Sequence, residues 1–510
     1  MENNFSAEVA PDFFDSPEYD EFQREYVNAP MRGDLELDLA NEVERDDSQF
    51  DCVNAPTGNN AEVNPLNGGR RNQAPSSEVA KAVDYVNGKS LSDAEISRLQ
   101  KFNQSFCHVV VEGKHRVVST KPCPIEGRKL HYEALHEFKN NFLHEPKIAG
   151  KNAGEAWSAW NGKNFKPDGI GFYPMPSKCP ASVMNLFSGF PMKAMQGDVS
   201  PIMFHITEVL CDGDKIAVDF VIGWLAHLFQ KPDEKPSVAI LLKSIEGTGK
   251  GTLYTVLQKL LGHMALQVNG GYQLTGRFNS VVANRLLIFA DEVDLTDVRS
   301  ADKLKGLISE PRVSMEKKGL DPIQLPNYCR FIFASNHDQV IKAGSRERRF
   351  LVLEPSAKYA QDTEYFSQLY KWIDNDGPAR FLGYLMAYDL SDFDPRKAPV
   401  TAALIAEKMD NLTPYEEFMF SELIKPQPFG GIAQLETRIL VEQCQRWLSD
   451  NGYDCSIHKV RSSIGKLVNR MQIKHIGKSG RGDYYAIPES NVLVNRFCQI
   501  LGHTQEQIFG

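Results

Sequence analysis

Two changes of pattern in quick succession constrain this chain more than any other feature. An unbroken apolar run, Val238-Ala239-Ile240-Leu241-Leu242, opens into Ser244-Ile245-Glu246-Gly247-Thr248-Gly249-Lys250-Gly251-Thr252. Leu253, Val256, Leu257, Leu260 and Leu261 then recur at helical spacing until Gly262. A run apolar at every position suits a strand buried on both faces of a parallel sheet, and the spacing that follows suits an amphipathic helix. Strand, glycine-rich turn and helix together predict an α/β fold. Glycines at 247, 249 and 251 let the turn curl so that successive N–H groups face one point, while Lys250 adds a mobile positive charge and the helix adds its amino-terminal dipole. The predicted ligand is the phosphate chain of ATP, held by Gly247, Thr248, Gly249, Lys250, Gly251 and Thr252. Two positions depart from the usual pattern. Ser244 replaces the opening glycine, and Gly251 stands where a hydroxyl would ligand Mg2+, leaving Thr252 one position later.

A second apolar run, Leu286-Leu287-Ile288-Phe289-Ala290, ends in Asp291-Glu292. After a phosphate loop, the first carboxylate suits a metal ligand and the second a group that polarises water, because phosphoryl transfer relies on positioning and charge stabilisation. Two acids capping a turn are the plainer alternative. A third run, Arg330-Phe331-Ile332-Phe333-Ala334-Ser335, leads into Asn336, and Arg348-Arg349 follow. An amide at a strand tip can sense the γ phosphate, and an arginine can neutralise charge on a neighbouring subunit's nucleotide.

The order phosphate loop, Asp-Glu, Asn and Arg-Arg-Phe, within residues 244–350, resembles superfamily 3 helicases, a branch of the AAA+ ATPases. The segment 102–424 is similar to the helicase portion of phage and plasmid primase-helicases, through Asn185-Leu186-Phe187-Ser188-Gly189-Phe190, Trp224-Leu225-Ala226 and Gln230-Lys231-Pro232. The resemblance implies a P-loop AAA+ core over 237–425 and a DNA-gripping hairpin between the second and third motifs. Val313-Ser314-Met315-Glu316 and Ile323-Gln324-Leu325 would be its strands, and Lys317-Lys318-Gly319 its tip. It further implies Lys250 on phosphate, Asp291 and Thr252 on Mg2+, Glu292 on water, Asn336 as sensor, and Arg348 or Arg349 as a finger acting in trans. Such a finger and a central hairpin require a ring, and a homo-hexamer is expected.

Charge is distributed unevenly. Through Asp51 the chain carries 16 Asp and Glu against 3 Arg, a net −13; with −9 overall, the remainder is +4. Residues 1–80 lack sustained periodicity and are expected to be a disordered acidic tail that contacts replication partners or occupies a basic surface of this chain. The carboxyl-terminal region has the opposite character. From His458 to Gly482 there are seven basic residues and no acid: Lys459, Arg461, Lys466, Arg470, Lys474, Lys478 and Arg481. Helix, basic helix, strand, glycine-rich basic turn and strand outline a winged-helix-like domain over 432–488, followed by a tail over 489–510, with duplex DNA as its expected ligand.

Residues 92–236 read as a mixed α+β region whose chemistry is not legible; His131, Glu133, His136 and Glu137 fit no common metal-ligand spacing. The longest apolar stretch, around Ala217 to Phe229, is interrupted by Asp219 and His227 and is too short to cross a bilayer. Nine cysteines without a Cys-x-x-Cys pair suit a reducing cytoplasm. The expectation is therefore a cytoplasmic, ATP-driven DNA helicase of a phage or mobile element, binding single-stranded and duplex DNA. Two rivals are an origin-binding initiator in which ATP only controls assembly, and a small-molecule kinase suggested by Gly247 to Thr252.

Overall fold

The computed structural model describes residues 84–123, 127–270, 272–276, 280–293, 298–315, 323–337, 340, 348–476 and 482–509. The acidic segment 1–80, Lys317, Lys318, Lys478 and Arg481 lie outside them. The chain divides between Phe190 and Pro191 into two units.

In the first unit, α1 (Asp93–Ser105) begins with a reciprocal cap: the Glu95 N–H donates to the Ser92 hydroxyl, and the Ser92 N–H donates to the Glu95 carboxylate. Four strands, β1 (Cys107–Val111), β2 (Lys114–Cys123), β3 (Gly127–Ala134) and β4 (Phe165–Lys166), form a sheet in the order β3-β2-β1-β4. α2 (Leu135–Asn140) and α3 (Ala153–Ala159) supply Phe138 and Trp157 to a core with Leu99, Phe102, Val117 and Trp160. Cys107, Val109, Val118 and Met184 form a second small core. Trp157 and Trp160 of the aromatic-rich stretch are thus core residues, whereas Phe165 is exposed. His131 pairs with Glu133 at 2.9 Å and His136 with Glu137 at 3.2 Å. Among the described residues no group of three or more His, Cys, Asp or Glu could hold a metal ion.

The second unit takes in residues from Pro191 onward, so the expected region 92–236 is split, with its last part joined to the sheet that follows. The reason is burial. After α4 (Ser200–Phe204) and a π-helical stretch (His205–Leu210), α5 (Lys215–Gln230) buries nearly every residue from Ala217 to Phe229, as a helix apolar on all sides must. Its Trp224 indole N–H donates to the Val238 carbonyl at 3.0 Å, tying the helix to the entry of the strand that leads into the glycine-rich loop.

That strand is β5 (Ala239–Lys243), followed by α6 (Lys250–Leu261), β6 (Ala265–Asn269), β7 (Leu287–Asp291) and α7 (Val298–Ser309). β8 (Arg312–Met315) and β9 (Ile323–Pro326) pair antiparallel as a separate ribbon, with Ser314 opposite Gln324. β10 (Arg330–Ser335) and β11 (Phe350–Leu353) complete a five-stranded sheet in the order β6-β7-β10-β5-β11, parallel at every pairing. Every loop from a strand's carboxyl end therefore emerges on one edge, where ligands bind in open parallel sheets. At the opposite edge the buried Arg330 donates to the carbonyls of Lys231 at 2.9 Å and Glu234 at 2.8 Å and to His227 Nδ1 at 3.1 Å.

α8 (Thr363–Asp374), α9 (Gly377–Ala387) and α10 (Ala402–Asp410) follow the sheet. A carboxyl-terminal module then comprises α11 (Pro414–Leu423), β12 (Gln434–Glu436), α12 (Thr437–Asp450), α13 (Ile457–Arg470), β13 (His475–Ile476), β14 (Tyr484–Ala486) and α14 (Ser490–Leu501). Its three strands pair antiparallel in the order β12-β14-β13. Two segments read differently in the structure than their sequences suggest. The stretch 426–431 has a Pro-Gln-Pro-Phe-Gly-Gly sequence that suits a linker, yet Phe429 is buried in this core; and Leu493, Phe497 and Leu501, on one face of the segment expected as a tail, pack there too. Residues four apart on a helix share a face, and that face is apolar.

Candidate nucleotide site

The loop between β5 and α6 has the conformation its glycines predict. Gly247 and Gly249 adopt φ of 82° and 85°, a left-handed region costly for any residue with a Cβ. Gly249 is the cap residue of α6, and the Thr252 N–H returns to its carbonyl at 3.0 Å. Thr248 and Thr252 are buried, and the Ser244 and Thr248 hydroxyls lie 2.7 Å apart. Ser244, where a glycine was the usual residue, therefore contributes a side-chain bond inside the loop. Gly251 differs from the other two: it has no positive φ, and nothing lies within 4 Å of a Cβ built on it.

Lys250 joins the motifs. Its Nζ donates to the carbonyls of Ser244 at 2.6 Å and Ile245 at 3.0 Å and to Asn336 Oδ1 at 2.6 Å. Burial lowers its pKa, while Asp291 and Glu246 act in the opposite direction. Strand order explains the meeting: β10 lies between β5 and β7, so the residues after all three strands share one edge. Asp291 is half-buried at the end of β7, and its Oδ1 accepts the Glu292 N–H at 3.0 Å. Glu292 is exposed with φ of 53°, a strained conformation for a residue other than glycine. Lys250, Asp291, Glu292 and Asn336 thus form one cluster around the loop.

Arg348 and Arg349 are elsewhere. The Arg349 carbonyl accepts the Ala239 N–H at 2.8 Å, which places it at the amino end of β5. The glycine-rich loop leaves the other end, about 15 Å away at ~3.3 Å per residue. They lie on the wrong edge to reach their own loop. In the carboxyl-terminal module, Lys459, Arg461 and Lys466 are exposed on α13, and Arg470 donates to Glu416 at 2.9 Å.

Four residues behind the loop escaped sequence reasoning. His205 is fully buried; its Nε2 donates to the Gly249 carbonyl at 3.1 Å, and its Nδ1 lies 2.8 Å from the Tyr365 hydroxyl. Burial pushes this imidazole down to about 4. The Gln361 N–H donates to the Gly247 carbonyl at 3.0 Å, and a Cβ on Gly249 would meet His205 and Phe366 within 3 Å. These residues lie 44 positions before and more than 100 after the loop. A lone histidine in an apolar run was the available signal.

Comparison with known proteins places these features in context. A profile described as a family of unknown function, DUF5906, matches residues 242–349, the stretch from the phosphate loop to the arginines. The chain is 23% identical over 334 residues to a DNA primase-polymerase of Nitratiruptor phage NrS-1; the alignment takes 64% of this chain and 41% of that protein, so the chain spans about two fifths of that relative. Among solved structures, an apo structure of the NrS-1 C-terminal region aligns with a TM-score of 0.58 at 16% identity, covering 78% of this chain and 99% of that one. The A form apo structure of the NrS-1 C-terminal region gives 0.58 at 16% identity over 76% of this chain and 97% of that one. The chain therefore shares the fold of the NrS-1 C-terminal region over about three quarters of its length.

Proposed function

We propose that this chain is an ATP-driven DNA helicase of superfamily 3 type, working as a homo-oligomeric ring, a hexamer, in the replication of a phage or other mobile element. The observation that carries the reading is the 2.6 Å bond from Lys250 Nζ to Asn336 Oδ1, which joins the phosphate loop to the tip of a third strand beside Asp291 and Glu292. Similarity to a phage DNA primase-polymerase supports the replication setting. The parallel sheet, with all these residues on one edge, suits a P-loop AAA+ core.

Magnesium-ATP supplies the phosphoanhydride whose cleavage drives the cycle. In this reading the N–H groups of 247–252 and the Lys250 ammonium bind its β and γ phosphates, with Asp291 and the Thr252 hydroxyl toward the metal. Glu292 accepts the proton of the attacking water, and Asn336 orients the γ phosphate. Arg348 or Arg349 acts on a neighbouring subunit's site, because its own is a strand length away. Lys317 and Lys318, between β8 and β9 in the sequence, would grip single-stranded DNA sequence-independently.

One observation favours a second reading. The carboxyl-terminal module runs helix, strand, helix, helix, strand, strand, helix, with Lys459, Arg461 and Lys466 exposed on α13, the last helix before the β13–β14 pair, and its strand-helix-helix-strand-strand part has the order of a winged helix. That suits duplex binding by an origin-binding initiator in which ATP controls assembly without unwinding. Lys478 and Arg481 would be the wing's backbone contacts.

Steady-state ATP hydrolysis with and without single-stranded DNA separates the readings. The helicase predicts DNA-stimulated turnover that Lys250→Ala lowers at least ~100-fold, the scale of losing a main phosphate contact. Hydrolysis indifferent to DNA would favour the initiator, and wild-type turnover in Lys250→Ala would dismiss the site.

A further inference from the structure

A phosphate loop works only if its peptide planes are turned so that N–H groups, not carbonyls, face the anion. In a planar trans peptide the C=O and the following N–H point in opposite directions. Fixing one therefore fixes the other. His205 and the Thr252 N–H share the Gly249 carbonyl, at 3.1 and 3.0 Å, so the imidazole adds a side-chain restraint to the helix's own on the direction of the Lys250 N–H. Gln361 holds the Gly247 carbonyl at 3.0 Å, which restrains the Thr248 N–H in turn.

We propose that His205, oriented by Tyr365, is a positioning residue that sets the anion-binding conformation of the phosphate loop. The claim rests on the nucleotide-site reading above. The hydrogen-bond pattern fixes the tautomer. A carbonyl only accepts, so Nε2 carries the proton; a neutral ring then leaves Nδ1 as an acceptor for the Tyr365 hydroxyl. Tyr365 is fully buried, so this orientation is imposed by the core. The contact also excludes alternatives at the loop: a Cβ at 249 would stand 2.5 Å from His205 Cε1 and 2.8 Å from Phe366. Glycine at 249 and histidine at 205 thus depend on each other. The π-helical stretch beginning at His205 brings the imidazole to this point, a place where such irregular turns often serve a site.

The test measures dissociation constants for a fluorescent ATP analogue, with thermal midpoints of the nucleotide-free protein, for the full chain and for Lys250→Ala, His205→Phe, His205→Gln and Tyr365→Phe. His205→Phe keeps an aromatic ring, slightly larger, and removes the donor; we expect binding to weaken about 10-fold, the scale of one lost buried hydrogen bond. His205→Gln restores an N–H donor and should recover most of that loss. Tyr365→Phe, which deletes one oxygen and is the variant most certain to fold, should weaken binding about 3-fold. If Lys250→Ala binds as tightly as wild type, the nucleotide-site reading itself fails. If Lys250→Ala loses binding while His205→Phe and Tyr365→Phe retain wild-type affinity, the positioning role is overturned. It is also overturned if His205→Gln binds no better than His205→Phe, or if affinity across the series merely follows the thermal midpoint.

Discussion

Gly251 and Glu292 show what individual residues contribute at this site. Gly247 and Gly249 need their left-handed φ, but Gly251 lies in the first turn of α6 with open space around its missing Cβ. Gly251→Ala should therefore stabilise the protein by about 0.5–1 kcal/mol in urea unfolding, since alanine loses less conformational entropy in a helix. A destabilised variant would show that the glycine has a packing role. Glu292 is the reverse case. Its strained φ of 53° is retained at an exposed position, where packing does not require it. At this scale the sequence was legible wherever a motif is contiguous: Lys250, Asp291 and Asn336 all arrive at one edge. His205 and Gln361 were not legible, because they meet the loop only through tertiary packing.

Among elements, the join between α5 and β10 has the most to lose. Arg330 is almost wholly inaccessible, and its guanidinium donates to the carbonyls of His227, Lys231 and Glu234. Burial lowers its pKa to about 9, so it remains a cation at neutral pH. Arg330→Ala should destabilise the fold by about 3–5 kcal/mol, because it strands several buried carbonyls and leaves a cavity; a loss under ~1 kcal/mol in chemical unfolding would contradict this. The apolar periods of β5, α6, β7 and β10 made these elements readable. Their boundaries with neighbours were less so. Residues 200–230 looked like part of the preceding region because an all-apolar helix does not reveal which core it enters. The segment after 489 looked like a tail because its apolar face, Leu493, Phe497 and Leu501, has meaning only beside α11 and α12.

For the whole molecule, buried histidines shape the response to acid: among the described residues His108, His205, His227 and His503 are all buried, and burial lowers the pKa of each. Burial lowers His108 and His205 to about 4 and His227 to about 3, from an ordinary 6.5. Each native pKa lies below its unfolded value, so between pH 6.5 and 4 the unfolded chain binds more protons and stability falls as pH falls. Thermal midpoints measured from pH 7 to 4.5 should decline through this window, and His227→Gln should make the decline shallower. A constant midpoint would mean that the imidazoles are hydrated. No helix among the described residues is long and apolar enough to cross a membrane. The strand order has a consequence in time as well. β5 is flanked by β10 and β11, whose residues lie about 90 and 110 positions later in the chain. At roughly 5–20 residues per second of synthesis, the apolar Ala239–Lys243 strand spends several seconds outside the ribosome before either partner exists. The first unit has a core of its own, so during that wait it is the second unit's parallel sheet that leaves an apolar strand unpaired, the kind of segment most prone to aggregate.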